Sequence, residues 1–220
     1  EKYDLPFVSE RAELGPDASE EKARDYRYAF LREVAKSHHG KIVTAHHADD
    51  AIETIALNLH RGTGWRGLAV LDSDIVRPLL NIHKDLLIEY ARANNLKWHE
   101  DSTNASDAYT RNRLRRKLVS LDENKKEELL RLRDTQIDLK KQIESESHHL
   151  VGNGPEYSRY FFIHAPKTAA LECLRYVTKG KLTRPQLTRA LMAIKTAKPK
   201  TIYQAGNGIS FSFTTRNFSL

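Results

Sequence analysis

The 220-residue chain is predicted to be an α/β protein with a mainly parallel sheet, followed by a helical connector and a small α+β C-terminal domain. Three observations predict this fold. Short apolar runs alternate with amphipathic segments in the first half of the chain, a charge-rich stretch without Gly, Pro or aromatic residues follows, and mixed patterns then return. The expected boundaries are residues 1–118, 119–150 and 151–220.

In the first domain, apolar spacing and turn residues predict strands at 5–9, 42–45, 74–79 and 96–98, and helices at 19–36, 48–60 and 83–94. Ser19 is the expected N-cap of the first helix. In the second helix, one face is expected to hold Ala48, Ile52, Ile55 and Leu59. We expect Gly62 to end that helix.

The connector is predicted to be one long helix over residues 121–149, because oppositely charged side chains recur four residues apart, as in Glu127 and Arg131. A glycine- and proline-containing break at 152–155 separates it from the last domain. There we expect a strand at 160–163, a helix at 167–177, a helix opened by Thr183 with Pro185 in its first turn, and a hairpin around 206–208.

The charge distribution points to a polyanionic partner. The net charge is +7, and the stretch from Cys173 to Leu220 contains nine Lys and Arg residues but no Asp or Glu. A basic lobe on a near-neutral body is typical of nucleic-acid binding. No apolar run is long enough to span a membrane, and a single cysteine excludes an internal disulfide or a cysteine-based zinc cluster. We therefore expect a cytoplasmic protein with no membrane partner.

The sequence HHADD at 46–50 occurs where a predicted strand ends and a predicted helix begins. Ligands of parallel sheets bind at that edge. Asp49, Asp50 and Glu53 lie within about one and a half turns of the helix start, so their side chains converge. Three neighbouring carboxylates repel one another and favour binding of a cation, which is either a divalent metal or a substrate ammonium group.

Two further segments are candidates for binding anions. The glycine-rich sequence RGTGWRG at 61–67 offers backbone amides and two arginines to a phosphate. The sequence RNRLRRK at 111–117 places five basic side chains in seven residues at a predicted helix start. Such a cluster is suited to the phosphates of a nucleotide or of RNA.

Together these segments resemble the tRNA(Ile)-lysidine synthetase family. The resemblance rests on five sequences in the same order: HHADD with Glu53 and Thr54, RGTG at 61–64, RPLL at 77–80, EDSTN at 100–104 and RNRLR at 111–115. It implies an ATP-dependent carbon–nitrogen ligase of the PP-loop fold. That family adenylates the wobble cytidine of a minor isoleucine tRNA with a CAU anticodon. L-lysine then displaces AMP to form lysidine, which changes codon specificity from Met to Ile.

The resemblance also implies roles for individual residues. The implied catalytic residues are Asp49, Asp50, Glu53 and Arg111, with Asp50 and Glu53 holding the substrate lysine and Asp49 binding Mg²⁺. The implied ATP and phosphate ligands are Arg61, Gly62, Arg77, Arg111, Asn112 and Arg115. The implied tRNA contacts are Arg115, Arg116, Lys179, Lys181, Arg184 and Arg189. A homodimer is one candidate assembly.

One departure from the family pattern limits these expectations. The family's Ser-Gly-Gly-x-Asp-Ser phosphate loop does not occur in the sequence. We therefore expect that this polypeptide alone does not bind ATP productively. Two alternatives remain: a non-catalytic RNA-binding fragment, and a metal-dependent phosphohydrolase with ligands from His46, His47, Asp49 and Asp50.

Overall fold

The computed structural model describes residues 5–15, 18–99, 114, 117, 118 and 120–220. The chain divides into two compact units, Glu1–Arg133 and Asp134–Leu220. Within the described residues, no helix combines the length and the apolar character needed to cross a membrane.

The first unit contains α1 (Glu20–Ser37), α2 (Ala48–His60), α3 (Lys84–Ala93) and the beginning of α4 (Glu123–Val151), with a short 3₁₀ helix at Trp65–Leu68. The three helices predicted in the first domain are confirmed to within one residue at each end. The long connector helix is also confirmed. The Ser19 side chain caps α1 by accepting a hydrogen bond from the backbone N–H of Lys22 at 3.2 Å.

The predicted strands of this unit are largely absent from its described part. Those at 42–45 and 74–79 are reduced to one parallel bridge between Val43 and Val76, in which the Thr44 N–H donates to the Val76 carbonyl at 3.0 Å. The strand predictions at 5–9 and 96–98 are wrong, because both segments are exposed and pair with no strand in the described chain. A strand needs a partner to satisfy its backbone groups.

A small apolar cluster holds α2 in place. Ala51, Ile55 and Val70 form its buried centre, and leucines from the adjoining segments and from α4 pack against them. The predicted buried face of α2 is correct for Ala48, Ile52 and Ile55 but wrong for Leu59, which is 56% exposed. With that face covered, the first turn of α2 is held in a defined position.

The second unit has one four-stranded antiparallel sheet. Its strands are β1 (Glu156–Ser158), β2 (Ile202–Gly206), β3 (Ile209–Phe213) and β4 (Asn217–Ser219), in the order β1-β4-β3-β2. The helices of this unit, besides the end of α4, are α5 (Arg159–His164), α6 (Lys167–Val177) and α7 (Arg184–Thr196). Phe162, Phe211 and Phe218 lie at the centre of its core, with edge-to-face ring contacts.

Three predictions in this unit are confirmed: the helix at 167–177, which is α6, the helix opened by Thr183, and the hairpin around 206–208. Thr183 caps α7, with its N–H donating to Gln186 Oε1 at 2.9 Å. The β2–β3 hairpin turns at Asn207 and Gly208, whose φ values of 53° and 73° lie in the left-handed region.

The strand predicted at 160–163 is wrong, because these residues form α5. The aromatic run has strand propensity, but tertiary packing overrides it. Arg159 is buried, and its guanidinium donates hydrogen bonds to the carbonyls of Ile194, Ala197 and Thr214. This anchor and the buried Phe162 ring favour a helical turn at this point.

Candidate active site

The helix start at HHADD lies beside a second helix start. The Ala48 N–H, at the start of α2, donates to the carbonyl of Ile82 at 3.0 Å, two residues before α3 begins at Lys84. The parallel bridge between Val43 and Val76, five and six residues before Ala48 and Ile82, brings the two segments together. The amino ends of α2 and α3 are therefore neighbours, and each contributes a positive dipole end.

Asp50 caps its own helix. Its Oδ2 accepts a hydrogen bond from the backbone N–H of His47 at 2.9 Å, and the His47 imidazole Nε2 lies 3.5 Å from the same oxygen. The Asp50 side chain is 27% exposed, so it still faces solvent. Glu53 follows three residues later and is partly buried on the adjacent turn. This i to i+3 spacing places both carboxylates on one side of α2.

Asp49 caps the neighbouring helix. Its Oδ2 accepts a hydrogen bond from the backbone N–H of Lys84 at 2.8 Å and lies 3.7 Å from Nδ1 of both His47 and His83. Both Nδ1 atoms are buried without a hydrogen-bond partner among the described residues. On its other side, His83 Nε2 lies 3.1 Å from Glu127 Oε1.

His46 has a different environment from His47. Its Nδ1 lies 2.8 Å from the Thr44 hydroxyl. Burial lowers the pKa of the His46 imidazole, and the positive charge of Arg77 acts in the same direction, although the Asp50 carboxylate opposes both. His46 is therefore a neutral group at pH 7.

The described residues contain no cluster of three or more His, Cys, Asp or Glu side chains that could hold a metal ion. The phosphohydrolase alternative relies on His46, His47, Asp49 and Asp50. Three of them have a hydrogen bond within the protein, since His46 contacts Thr44 and the two carboxylates cap helices.

The predicted phosphate ligands fall into two groups. Arg61 and Gly62 form the exposed end of α2, where Gly62 has a φ of 67°. Arg77 is turned inward and donates from Nη1 to the carbonyls of Leu71 and Ile75 at 2.9 and 3.1 Å. Arg111, Asn112, Arg115 and Arg116 lie outside the described residues.

The tail residues predicted to contact tRNA belong to the second unit. Lys179, Lys181, Arg184 and Arg189 are all exposed there. Lys179 and Lys181 lie in the turn after α6, while Arg184 and Arg189 lie on α7. Each unit thus has its own candidate site: carboxylates at the helix starts of the first, and exposed cations on the second.

The decisive comparison concerns the first unit. A sequence profile described as a PP-loop domain matches residues 2–121. The chain belongs to the PP-loop family. The match includes the HHADD helix start and the segment around Arg77, whereas the exposed cations of the second unit lie outside it.

Three named relatives show which PP-loop proteins this chain resembles. It is 38% identical over 148 residues to the tRNA(Ile)-lysidine synthase of Actinobacillus succinogenes, covering 63% of this chain and 32% of that protein. It is 39% identical over 127 residues to the synthase of Coxiella burnetii, covering 53% and 28%. For the bifunctional protein TilS/HprT of Listeria innocua, the values are 42% over 133 residues, covering 54% and 20%.

These matches confirm the resemblance to the tRNA(Ile)-lysidine synthetase family. The chain spans about a fifth to a third of the length of these relatives.

Sequence reasoning missed part of this candidate site. It did not include His83, Lys84 or Glu127, which contact the acidic helix start or one another. His83 had a usable signal, because it stands at the start of a predicted helix that follows a predicted strand, close to the position that His47 has before α2. Glu127 had none, because it is one of many charged residues on α4.

Proposed function

We propose that the protein forms lysidine: it ligates L-lysine to the wobble cytidine of a minor isoleucine tRNA through an adenylated cytidine. Membership of the PP-loop family and likeness to proteins named tRNA(Ile)-lysidine synthase support the general activity. The observation that carries the specific proposal is the pair Asp50 and Glu53 on one side of α2, in the segment that follows the parallel bridge between Val43 and Val76.

Asp50 and Glu53 hold the substrate lysine in this proposal. A lysine carries two ammonium groups, and two carboxylates one turn apart offer a complementary pair of charges. Because Asp50 also caps α2 through Oδ2, its orientation is set before the substrate binds. Preorganisation of this kind lowers the entropic cost of holding a flexible ligand.

The nucleotide is assigned to basic residues of the same unit. The proposed phosphate ligands are Arg61, Gly62, Arg77, Arg111, Asn112 and Arg115. Arg111 also stabilises negative charge that develops as AMP leaves the cytidine. The bonds from Arg77 Nη1 to the 71–75 segment restrict its guanidinium to one place, and its buried Nε has no hydrogen-bond partner among the described residues.

Asp49 is the one protein carboxylate proposed to bind Mg²⁺. This ion is commonly held by one or two carboxylates together with substrate phosphates and water. Asp49 uses Oδ2 to cap α3, so Oδ1 is the atom that would bind the ion. Bound there, Mg²⁺ would neutralise charge on the nucleotide phosphates. This chain contributes a fixed position of the Asp49 carboxylate, which the hydrogen bond from the Lys84 N–H maintains.

We further propose that different regions of the chain have different functions. Residues 1–118 form the catalytic region, in which the Val43–Val76 bridge is part of a parallel sheet. Residues 119–150 connect it to residues 151–220. The proposed tRNA contacts are Arg115 and Arg116 of the first region together with Lys179, Lys181, Arg184 and Arg189 of the last. The supporting observation is the exposure of all four tail cations. A cytoplasmic location and a homodimer belong to the same proposal.

The test removes charge from the lysine-holding pair. Asp50→Asn and Glu53→Gln in the complete protein should each raise the KM for lysine at least about tenfold, since a charged hydrogen bond contributes about 1.5–3 kcal/mol. Affinity for ATP should change little. The assay is lysine-dependent AMP release with an isoleucine tRNA transcript.

The matched control is Asp85→Asn, which removes an exposed acidic charge from the first turn of the neighbouring helix α3. It should leave the KM for lysine near its original value. Unchanged lysine dependence in both Asp50→Asn and Glu53→Gln would overturn the assignment. An RNA-binding module without catalysis would show tRNA binding but no lysine-dependent AMP release.

A further inference from the structure

His83 lies between Asp49 of α2 and the first turns of α4. Its Nε2 lies 3.1 Å from Glu127 Oε1, and its Nδ1 lies 3.7 Å from Asp49 Oδ2. Because a carboxylate only accepts hydrogen bonds, Nε2 is the ring nitrogen that carries a hydrogen and donates it to Glu127. One imidazole thus contacts carboxylates from two different helices, and the proposed function assigns no role to it.

The first turns of α4 are packed against the rest of the first unit. Leu129 and Leu130 contact the apolar cluster that covers α2. Arg133 is buried, and its Nε donates to the carbonyl of Val70 at 2.9 Å. These contacts fix the backbone of α4 at the point where Glu127 extends toward the helix starts. The acceptor for the His83 ring therefore has a defined position.

The His83 side chain does not cap the helix that it precedes. His83 is the N-cap residue of α3, but its side chain makes no capping hydrogen bond. Asp49 supplies the cap instead, since its Oδ2 accepts from the Lys84 N–H at 2.8 Å. N-cap side chains usually bond to the first turn of their own helix. The His83 ring acts on Asp49 and Glu127 rather than on the first turn of α3.

Three groups surround Asp49 Oδ2. Besides the Lys84 N–H, the Nδ1 atoms of His47 and His83 each lie 3.7 Å from this oxygen. That separation is longer than a hydrogen bond, so each ring restrains the carboxylate by occupying the space beside it. Both Nδ1 atoms are buried. None of these contacts involves Oδ1, which is the atom proposed to bind Mg²⁺.

We propose that His83 is a positioning residue for Asp49, and that Glu127 of α4 fixes the orientation of the His83 ring. The hydrogen bond to Glu127 holds the ring on one side, and the ring packs beside Oδ2 on the other. Asp49 therefore keeps one orientation, with Oδ1 available to Mg²⁺. The first turns of α4 contribute to the catalytic region as well as connecting it to the second unit.

This inference rests on the proposed role of Asp49 in binding Mg²⁺, but the position of the carboxylate is measurable without activity. The first measurement follows hydrogen exchange at the Lys84 N–H of the 220-residue chain by NMR. His83→Ala and Glu127→Ala should each accelerate this exchange at least about fivefold, because the acceptor Asp49 is less well held.

The Lys22 N–H is the internal reference for these exchange rates. It is also a helix-start N–H bonded to a side chain, donating to Ser19 Oγ at 3.2 Å at the start of α1. Neither substitution changes its surroundings, so its exchange rate should stay at the wild-type value. A general loss of stability would accelerate exchange at Lys22 and Lys84 alike.

Two further substitutions on α4 are matched controls. Glu127→Gln keeps a side-chain oxygen that accepts the hydrogen bond from His83 Nε2, so it should restore most of the wild-type protection at Lys84. Glu128→Ala removes an exposed carboxylate from the next position of the same helix. It should leave exchange at Lys84 unchanged.

The second measurement titrates Mg²⁺ in the complete protein, with lysine-dependent AMP release as the readout. His83→Ala and Glu127→Ala should each raise the Mg²⁺ concentration for half-maximal activity about tenfold, as expected when a group that orients a metal ligand is lost. The KM for lysine should change little, because Asp50 keeps its own hydrogen bond to the His47 N–H.

Faster exchange at Lys84 with an unchanged rate at Lys22, reversed in Glu127→Gln, supports the proposal. An unchanged Lys84 rate in both alanine variants overturns it, as does an equal acceleration at Lys22 or an equal effect of Glu128→Ala. An unchanged Mg²⁺ requirement overturns the link to Mg²⁺. If His83→Ala does not fold, Glu127→Ala is judged by the same criteria.

The two measurements also distinguish this inference from the proposed function. If exchange at Lys84 responds as expected but the complete wild-type protein releases no AMP in response to lysine, the proposed function fails and the positioning of Asp49 by His83 stands. If the wild type is active and exchange at Lys84 does not respond, only the positioning role fails.

Discussion

Asp49 and Lys84 join the starts of two helices, with Asp49 Oδ2 accepting a hydrogen bond from the Lys84 backbone N–H at 2.8 Å. Asp49 lies in the first turn of α2, and Lys84 is the first residue of α3. The bond satisfies one of the N–H groups that a helix start leaves unpaired. It also fixes the carboxylate between two positive dipole ends, which stabilise its charge.

This contact predicts different outcomes for two substitutions at the same position. Asp49→Ala should lower the free energy of unfolding by about 1 kcal/mol, because the Lys84 N–H loses its cap. Asp49→Asn should lower the free energy of unfolding by no more than about half as much, since its amide oxygen still accepts the hydrogen bond from the Lys84 N–H. Urea unfolding followed by circular dichroism measures both. Equal destabilisation would argue that charge, rather than capping, determines the effect.

The Asp49→Asn substitution also separates the capping role of Asp49 from its proposed role in binding Mg²⁺. In the complete protein, Asp49→Asn should lose most of its Mg²⁺-dependent activity while remaining folded, because an amide is a much poorer ligand for this ion than a carboxylate. Full activity of a folded Asp49→Asn variant would leave Asp49 as a helix cap only.

The environment of His46 predicts a pH effect on stability. Burial lowers the pKa of His46 below its ordinary value of 6.5, so the unfolded chain binds a proton at a higher pH than the folded chain does. The contribution of this group is therefore present above pH 6.5 and is lost as the pH falls below that value. Urea midpoints at pH 7.5 and 5.5 measure the loss.

His46→Gln is the comparison for this pH effect. It removes the titrating group and keeps a side chain that can bond to Thr44. The decrease in stability between pH 7.5 and 5.5 should be smaller in this variant than in the wild type. An identical decrease would place the titration on other groups.

Arg159 predicts a large effect on the second unit. Its guanidinium is buried and donates to three carbonyls, of Ile194, Ala197 and Thr214. Arg159→Ala should lower the free energy of unfolding by about 3 kcal/mol, because it leaves buried acceptors without partners. The exposed Arg189→Ala on α7 is the control and should change it by less than about 0.5 kcal/mol. Similar values for both variants would contradict the anchoring role.

The exposed tail cations predict a salt effect on tRNA binding. Replacing Lys179, Lys181 and Arg184 together by Gln should weaken tRNA binding and reduce the slope of log K against log salt by about 2 to 3. Filter binding across a salt series measures the slope. Replacing exposed Lys36, Lys41 and Lys97 of the first unit removes the same charge and serves as the control. Equal slopes for the two triple variants would show a non-specific charge effect.

Local spacing was sufficient for most helices. The bounds of α1, α2 and α3 follow from apolar periodicity and from caps such as Ser19, and the capping box at Thr183 opens α7 as predicted. The position of the acidic cluster at a helix start also follows from the sequence, since Asp49 and Asp50 stand four and five residues after the short apolar run at 42–45. These features depend on interactions over three or four residues, which a sequence displays directly.

Longer-range features were not predictable in this way. The run at 160–163 forms a helix because Arg159 binds carbonyls that are 35 to 55 residues away in the chain. The use of Asp49 as a cap for α3 depends on the approach of residue 84.

The sequence by itself determined most of the helices, the charge of the tail, and the family to which the chain belongs. It did so because helix periodicity, caps and motifs depend on neighbours along the chain. Only the tertiary structure decided what the carboxylates and arginines contact, because a hydrogen bond between distant residues depends on how the elements pack. The Asp49–Lys84 bond is such a contact, made when the starts of α2 and α3 are brought together.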